Sequence, residues 1–145
     1  HIGGLTGYLS VLISTLCNKL YVIEEDIKFI DRLKVNIERS GNTNINFFKN
    51  KLIDGYEPQS PYNLIIIDGP LYQLEESLKK QIDSKGGRLI YIKKIDENLS
   101  KAYKITKNDN SFAEEYIFDV MTKYQIQEKE EVFKFWWKYF LFFYY

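Results

Sequence analysis

Among its 145 residues the chain has one cysteine, Cys17, and one histidine, His1. A single cysteine excludes an internal disulfide and any cysteine-rich zinc site, and it suits a reducing, cytoplasmic compartment. With the histidine at the first position, a Cys/His pair or a Ser/His/Asp triad would rest on an unanchored residue, so those nucleophilic chemistries are set aside and no metal is expected. No stretch of about 18 apolar residues occurs, and no charged start leads into an apolar run, so neither a membrane span nor a signal peptide is expected. Neither sign of charge prevails: Lys plus Arg and Asp plus Glu are 20 each. No long-range field therefore draws the protein to nucleic acid or to an anionic membrane. Gly-Lys-Ser and Gly-Lys-Thr are also missing, which removes a Walker phosphate loop.

What is present is the composition of a globular protein, 45% hydrophobic and 28% charged, with the length of one domain. Residues 8–16 carry Leu9, Leu12, Ile13 and Leu16 at helical spacing, and residues 19–24 (KLYVIE) form a short apolar run ending in acid. A helix followed by a strand fits. Residues 26–40 repeat the helical period through Ile27, Ile30, Leu33, Val35 and Ile37 and stop at Ser40-Gly41, where glycine takes the left-handed helix-end conformation. Residues 45–48 are a brief strand candidate, and a turn-rich stretch follows. Residues 62–68 (YNLIIID) are continuously apolar, as in a parallel strand buried on both faces, so this strand is predicted to be central. Leu71, Leu74, Leu78 and Ile82 then recur at helical spacing, and Lys85-Gly86-Gly87 turns the chain into a strand over 88–92. Alternating strand and helix is the pattern of a doubly wound, mostly parallel α/β sheet. Beyond Ile95, residues 101–107 and 112–120 read as strands of an antiparallel hairpin joined by Asn108-Asp109-Asn110-Ser111.

The opening His1-Ile2-Gly3-Gly4-Leu5-Thr6-Gly7-Tyr8 precedes the first helix. Its glycines let backbone pass close to a ligand, where free N–H groups suit a nucleotide or carboxylate. Glu24 ends the next strand about 20 residues on, the distance at which a Rossmann-type acid meets ribose hydroxyls. The alternative is that Gly3, Gly4 and Gly7 only make a tight turn and that Glu24 is a solvated strand-end charge. The spacing is not G-x-G-x-x-G, which argues against a dinucleotide. Asp68-Gly69, ending the best strand, faces the same sheet edge; Asp68 either lines the site or forms the turn.

The strings IGGLTGYLS, YVIEED, PYNLIIIDG, GGRLI and FAEEYIFDV, in that order, resemble the protein-L-isoaspartate O-methyltransferase family in the form common among alphaproteobacteria. The resemblance runs from His1 to about Phe135. It implies a Rossmann-like, S-adenosylmethionine-dependent methyltransferase fold and methyl transfer from S-adenosylmethionine to the carboxyl of isoaspartyl residues in damaged proteins. In the family the glycine loop holds the methionine part of the cofactor and the acid after the next strand holds its ribose. Carried over, the cofactor-binding residues are Gly3, Gly4, Thr6, Gly7 and Glu24. No catalytic residue is assigned, because this transfer chiefly requires positioning. Three positions depart from the pattern: His1 where an Asp usually ends the first strand, Leu5 for a loop glycine, and Lys51 for the adenine-side acid. The resemblance further implies that the chain starts at the loop, without the first strand and the N-terminal region that binds the isoaspartyl peptide. A sheet lacking that strand would expose unpaired backbone groups and invite self-association.

The expected methyltransferase-like domain is 1–135, and residues 136–145 form an aromatic tail, Trp136 to Tyr145, that is too short to span a bilayer. The tail is either an interaction patch or an apolar extension without function. A different class of function is also carried forward: a non-catalytic remnant or partner-binding module that keeps the fold without turnover.

Overall fold

The computed structural model describes residues 1–122; the aromatic tail and the expected domain end at residue 135 lie outside them. A short helix α1 (Tyr8–Ser14) leads to β1 (Leu20–Glu24), helix α2 (Ile27–Ser40) and β2 (Ile45–Lys49). Two 3-10 turns precede β3 (Leu64–Leu71), a single-turn helix α3 (Glu76–Lys80), and the long strands β4 (Lys85–Lys94), β5 (Ser100–Asn108) and β6 (Ser111–Val120).

Strand β1 pairs in parallel with β2, and β3 in parallel with β4. From β4 on the pairing is antiparallel, β4 to β5 to β6, so the predicted edge hairpin is present. The two sheets, β1-β2 and β3-β4-β5-β6, are joined by Ile2, which bridges in parallel to Ile23 on one side and to Ile67 on the other. Its N–H donates to the Ile66 carbonyl at 2.8 Å, its carbonyl accepts from Asp68, and the His1 carbonyl accepts from the Ile23 N–H. Ile2 makes isolated bridges and not a strand, so among the described residues no full strand lies between β1 and β3. His1 and Ile2 read as part of the loop because two residues have no periodicity to detect. Below His1, away from the loop, β1 and β3 face one another across cavities of about 230 and 60 Å³, lined among others by Leu20, Tyr21, Tyr62 and Leu64.

The core lies on both faces of this sheet. On one face Ile2, Ile23, Ile65, Ile67, Leu78, Ile82, Leu89 and Ile105 are buried together; on the other Leu20, Val22 and Leu33 are. Helix α2 is placed by its ends. The Asp26 carboxylate accepts from the Lys28 N–H at 2.9 Å, and Gly41 closes the helix at φ 70°. Between them Ile30 and Leu33 face the sheet, each burial contributing about 2 kcal/mol.

Three expectations change. Helix α1 buries Ser10 and Ser14, while Leu12 and Leu16 point outward, Leu16 being 87% exposed. The serines win that face because the groups beneath it are polar: Ser10 meets His1, and Ser14 meets the Asn42 amide at 2.7 Å. Strand β3 stands at the edge of its four-stranded sheet, bridged beyond only by Ile2, and not at the centre as predicted; its burial also alternates, with Ile65 and Ile67 buried, Ile66 half-buried and Leu64 46% exposed. Its second face borders the cavity below His1 rather than a helix. The helix expected to start at Leu71 is only Glu76–Lys80, because β3 continues through Leu71; Leu78 and Ile82 are buried as their spacing predicts.

Candidate cofactor site

The opening loop crosses the C-terminal end of the sheet between Ile2 and α1. Gly3 and Gly7 hold φ 85° and 84°, a region that side chains enter only at a cost. Gly4 is required for space: a Cβ there would come within 2.5 Å of Leu33 Cδ1 and 2.6 Å of Val22 Cγ1, so the loop is seated directly on the core. Leu5 also has positive φ, 46°. The chain thus keeps at Leu5 a backbone conformation suited to glycine, with a leucine in it.

Glu24 is fully buried at the end of β1. Its Oε2 accepts from the Leu5 N–H at 2.7 Å, and its Oε1 accepts from the N–H groups of Glu25 and Asp26 at 2.9 Å. This carboxylate clasps the loop to the strand end. A carboxylate offers about four acceptor positions, so a fourth remains. Thr6 lies in the loop with its carbonyl held by the Asn36 side-chain amide of α2 at 2.7 Å. Gly3, Gly4, Thr6, Gly7 and Glu24 are accordingly one cluster. Lys51 is exposed on the neighbouring loop, just before a 3-10 turn; that loop is tied to the strand end through the Leu52 N–H on the Glu25 carboxylate at 3.0 Å.

Two further residues join this cluster. The His1 ring is buried, with Nδ1 sharing a hydrogen bond with Ser10 Oγ at 2.8 Å. Its Nε2 has no hydrogen-bond partner and lies 3.9 Å from Asp68 Oδ2. Asp68 is half-buried, and that burial holds its carboxyl above the usual carboxylate range. Sequence reasoning placed Asp68 on the right edge but missed Ser10, Asn36 and the His1–Asp68 approach. Ser10 carried a weak signal, as a polar residue within an apolar helical repeat; Asn36 carried none beyond standing inside a helix.

A glycine loop on a carboxylate at the C-terminal edge of an open α/β sheet is a nucleotide-cofactor geometry, and comparisons with known proteins narrow it. A family model described as protein-L-isoaspartate(D-aspartate) O-methyltransferase matches residues 1–124. The protein-L-isoaspartate O-methyltransferase of Dictyoglomus turgidum is 30% identical over 115 residues, 79% of this chain and 51% of that protein. That of Methanoculleus marisnigri is 32% identical over 90 residues, 62% of this chain and 40% of its own length. A solved structure named protein-L-isoaspartate O-methyltransferase superposes with a TM-score of 0.76 at 25% identity, covering 88% of this chain and 41% of that one. The chain thus spans about half or less of the length of these relatives, and they do not single out the alphaproteobacterial form. With loop, acid and strand order agreeing with a match over residues 1–124, the chain belongs to the protein-L-isoaspartate(D-aspartate) O-methyltransferase family.

Proposed function

We propose that this chain is the S-adenosylmethionine-binding part of a protein carboxyl methyltransferase that acts on isoaspartyl residues of damaged proteins. The observation that carries it is the Leu5 N–H on Glu24 Oε2 at 2.7 Å, which fixes the glycine loop over the strand end where a nucleoside sits in folds of this kind. Gly3, Gly4, Thr6 and Gly7 would pass the methionine part of the cofactor, and Glu24 would use its remaining acceptor position for a ribose hydroxyl. The loop fits the group in backbone path, and Glu24, which has no exposed surface, would have to be uncovered for a hydroxyl to reach it. Lys51, a donor, supports no contact to the adenine amino group, which needs an acceptor. S-adenosylmethionine would supply an electrophilic methyl group; the chain would hold it in place and keep the loop closed beneath it. The single cysteine favours a cytoplasmic location. Among the described residues no helix is long and apolar enough to cross a membrane.

Calorimetry with S-adenosylmethionine tests the reading. The expected result is saturable binding below about 1 mM, weakened by about 1 to 3 kcal/mol in Glu24→Ala, the usual loss for a charged hydrogen-bond partner. No binding heat at that concentration by the folded chain would overturn it. A second reading, a partner-binding module without turnover, is favoured by one observation: Glu24 is fully buried with three backbone N–H groups already on it.

A further inference from the structure

From Gly3 to Gly7 every backbone N–H but one is committed. Those of Gly3 and Gly4 donate to the Ile23 carbonyl at 3.0 and 3.1 Å, that of Leu5 to Glu24 Oε2 at 2.7 Å, and that of Gly7 to the Gly4 carbonyl at 2.8 Å. Among the described residues the Thr6 N–H has no partner. The Leu5–Thr6 peptide is therefore open, and it is bracketed by two held ones: Glu24 fixes the peptide before it, and Asn36 fixes the peptide after it by donating to the Thr6 carbonyl at 2.7 Å. Gly7 cannot fix that second peptide by itself. Its φ is 84°, and glycine takes either sign of φ at similar cost, so the orientation of the Thr6–Gly7 peptide rests on Asn36 and on the bond from Gly7 to Gly4. Helix α2 is built to supply this hold. Leu33, one turn before Asn36 on the same face, lies under the loop, its Cγ 3.6 Å from where a Cβ on Gly7 would stand.

Resting on the proposed cofactor reading and deepening it, we infer that Asn36 is a positioning residue: through the Thr6 carbonyl its side-chain amide locks the Thr6–Gly7 peptide in one orientation, and so sets the form of the loop that a ligand meets. Without that amide the Thr6 carbonyl loses its donor. The peptide can then rotate about its two flanking bonds, which takes the Gly7 N–H off Gly4 and turns the carbonyl away from α2. A loop that spends part of its time in the second form binds more weakly by the fraction of molecules left in the first. Glu24 and Asn36 thus divide the work of holding the loop, one from the strand end and one from the helix, an acceptor for its N–H and a donor for its carbonyl.

Two measurements on the full chain test it. The first uses no ligand: amide hydrogen exchange read by NMR. In Asn36→Ala the Gly7 amide should exchange about 3- to 10-fold faster, the range of one lost neutral hydrogen bond. The amides of Leu33 and Ile37 should keep their rates, because alanine is the better helix former. The second is calorimetry with S-adenosylmethionine, where Asn36→Ala should bind about 3- to 10-fold more weakly. Asn36→Asp should lose at least about tenfold at a pH of about 7.5, since an ionised carboxylate only accepts and would face the Thr6 carbonyl. As the pH falls to about 4.5 that carboxyl takes up a proton and can donate. Affinity of Asn36→Asp should then recover toward that of the parent at the same pH, while Asn36→Ala stays weak. A residue that served only the stability of α2 would give no such recovery. Unchanged Gly7 exchange in Asn36→Ala, unchanged affinity, or the same pH dependence in both variants would overturn the inference. If Gly7 exchange rises as expected and the parent chain binds no S-adenosylmethionine, the hold of Asn36 on the loop stands and it is the cofactor reading that fails.

Discussion

Leu5 holds the loop in shape while standing in a backbone conformation suited to glycine. At φ 46° a leucine bears a strain of about 1 to 2 kcal/mol, yet its N–H is the donor that ties the loop to Glu24. Replacing it by glycine removes the strain and adds about 0.5 to 1 kcal/mol of backbone entropy to the unfolded chain. These terms nearly cancel, so Leu5→Gly is expected to change stability by less than about 1 kcal/mol in urea unfolding. Its effect should appear instead in ligand binding, because a side chain in the loop is gone while the N–H that donates to Glu24 Oε2 remains. S-adenosylmethionine affinity should rise about fivefold, roughly 1 kcal/mol. A fall in affinity would mean that the leucine side chain contributes to the site rather than obstructing it. Glu24 was legible in the sequence as an acid at the right distance from a glycine loop. Its occupation by three N–H groups was not, because which backbone amides point inward depends on the path of the loop, and that path is set by Gly4 packing against Leu33 and Val22.

Among the elements, legibility follows the number of repeats each offers. Helix α2 has four turns of apolar spacing and matches its expected ends, Asp26 and Gly41. The hairpin of β5 and β6 is equally clear, since its turn chemistry and its strands agree. Helix α1 has two turns, too few for its leucines to reveal that serines face inward, and α3 is a single turn that the run from Leu71 to Ile82 overstated. Ile2 is the extreme case: invisible as a pattern, its isolated bridges join β1-β2 to β3-β4-β5-β6. A joint this short gives the two sheets separate opening routes. In hydrogen exchange the amides of β4 and β5, each paired on both sides, should be the slowest, and those of β1 and β2 should exchange earlier. Ile2→Ala, at a residue only 4% exposed, should cost about 2 to 4 kcal/mol and speed exchange in β1 and β2 more than in β4 and β5. Equal protection of both sheets, unchanged by that substitution, would show that they open as one unit through contacts other than Ile2.

On the scale of the whole molecule, the fold agrees with the family, while methyl transfer makes demands on both reactants. Methyl transfer depends on holding the acceptor carboxylate in line with the methyl group, and a misplacement of about 1 Å already costs on the order of a hundredfold. The chain matches about half of its relatives' length, so its 145 residues present the acceptor with only part of the surface those relatives possess. On the donor side of the proposed site Glu24 already accepts from three backbone N–H groups, Leu5 holds a positive φ in the loop, and the exposed Lys51 offers a donor and no acceptor. Losses on the two reactants multiply, because each adds its own term to the barrier. The 145-residue chain by itself is therefore expected to transfer methyl groups to an isoaspartyl peptide more than a hundredfold more slowly than a full-length family enzyme under the same conditions. Labelled S-adenosylmethionine and a peptide acceptor give the measurement, with Leu5→Gly run in parallel. If crowding of the loop is the main obstacle, that variant should regain rate as it regains affinity; if acceptor positioning dominates, affinity should rise with no gain in rate. Turnover by the parent chain within tenfold of the full-length enzyme would mean that residues 1–145 already hold both reactants in register, and that the donor-side departures cost far less than their chemistry implies.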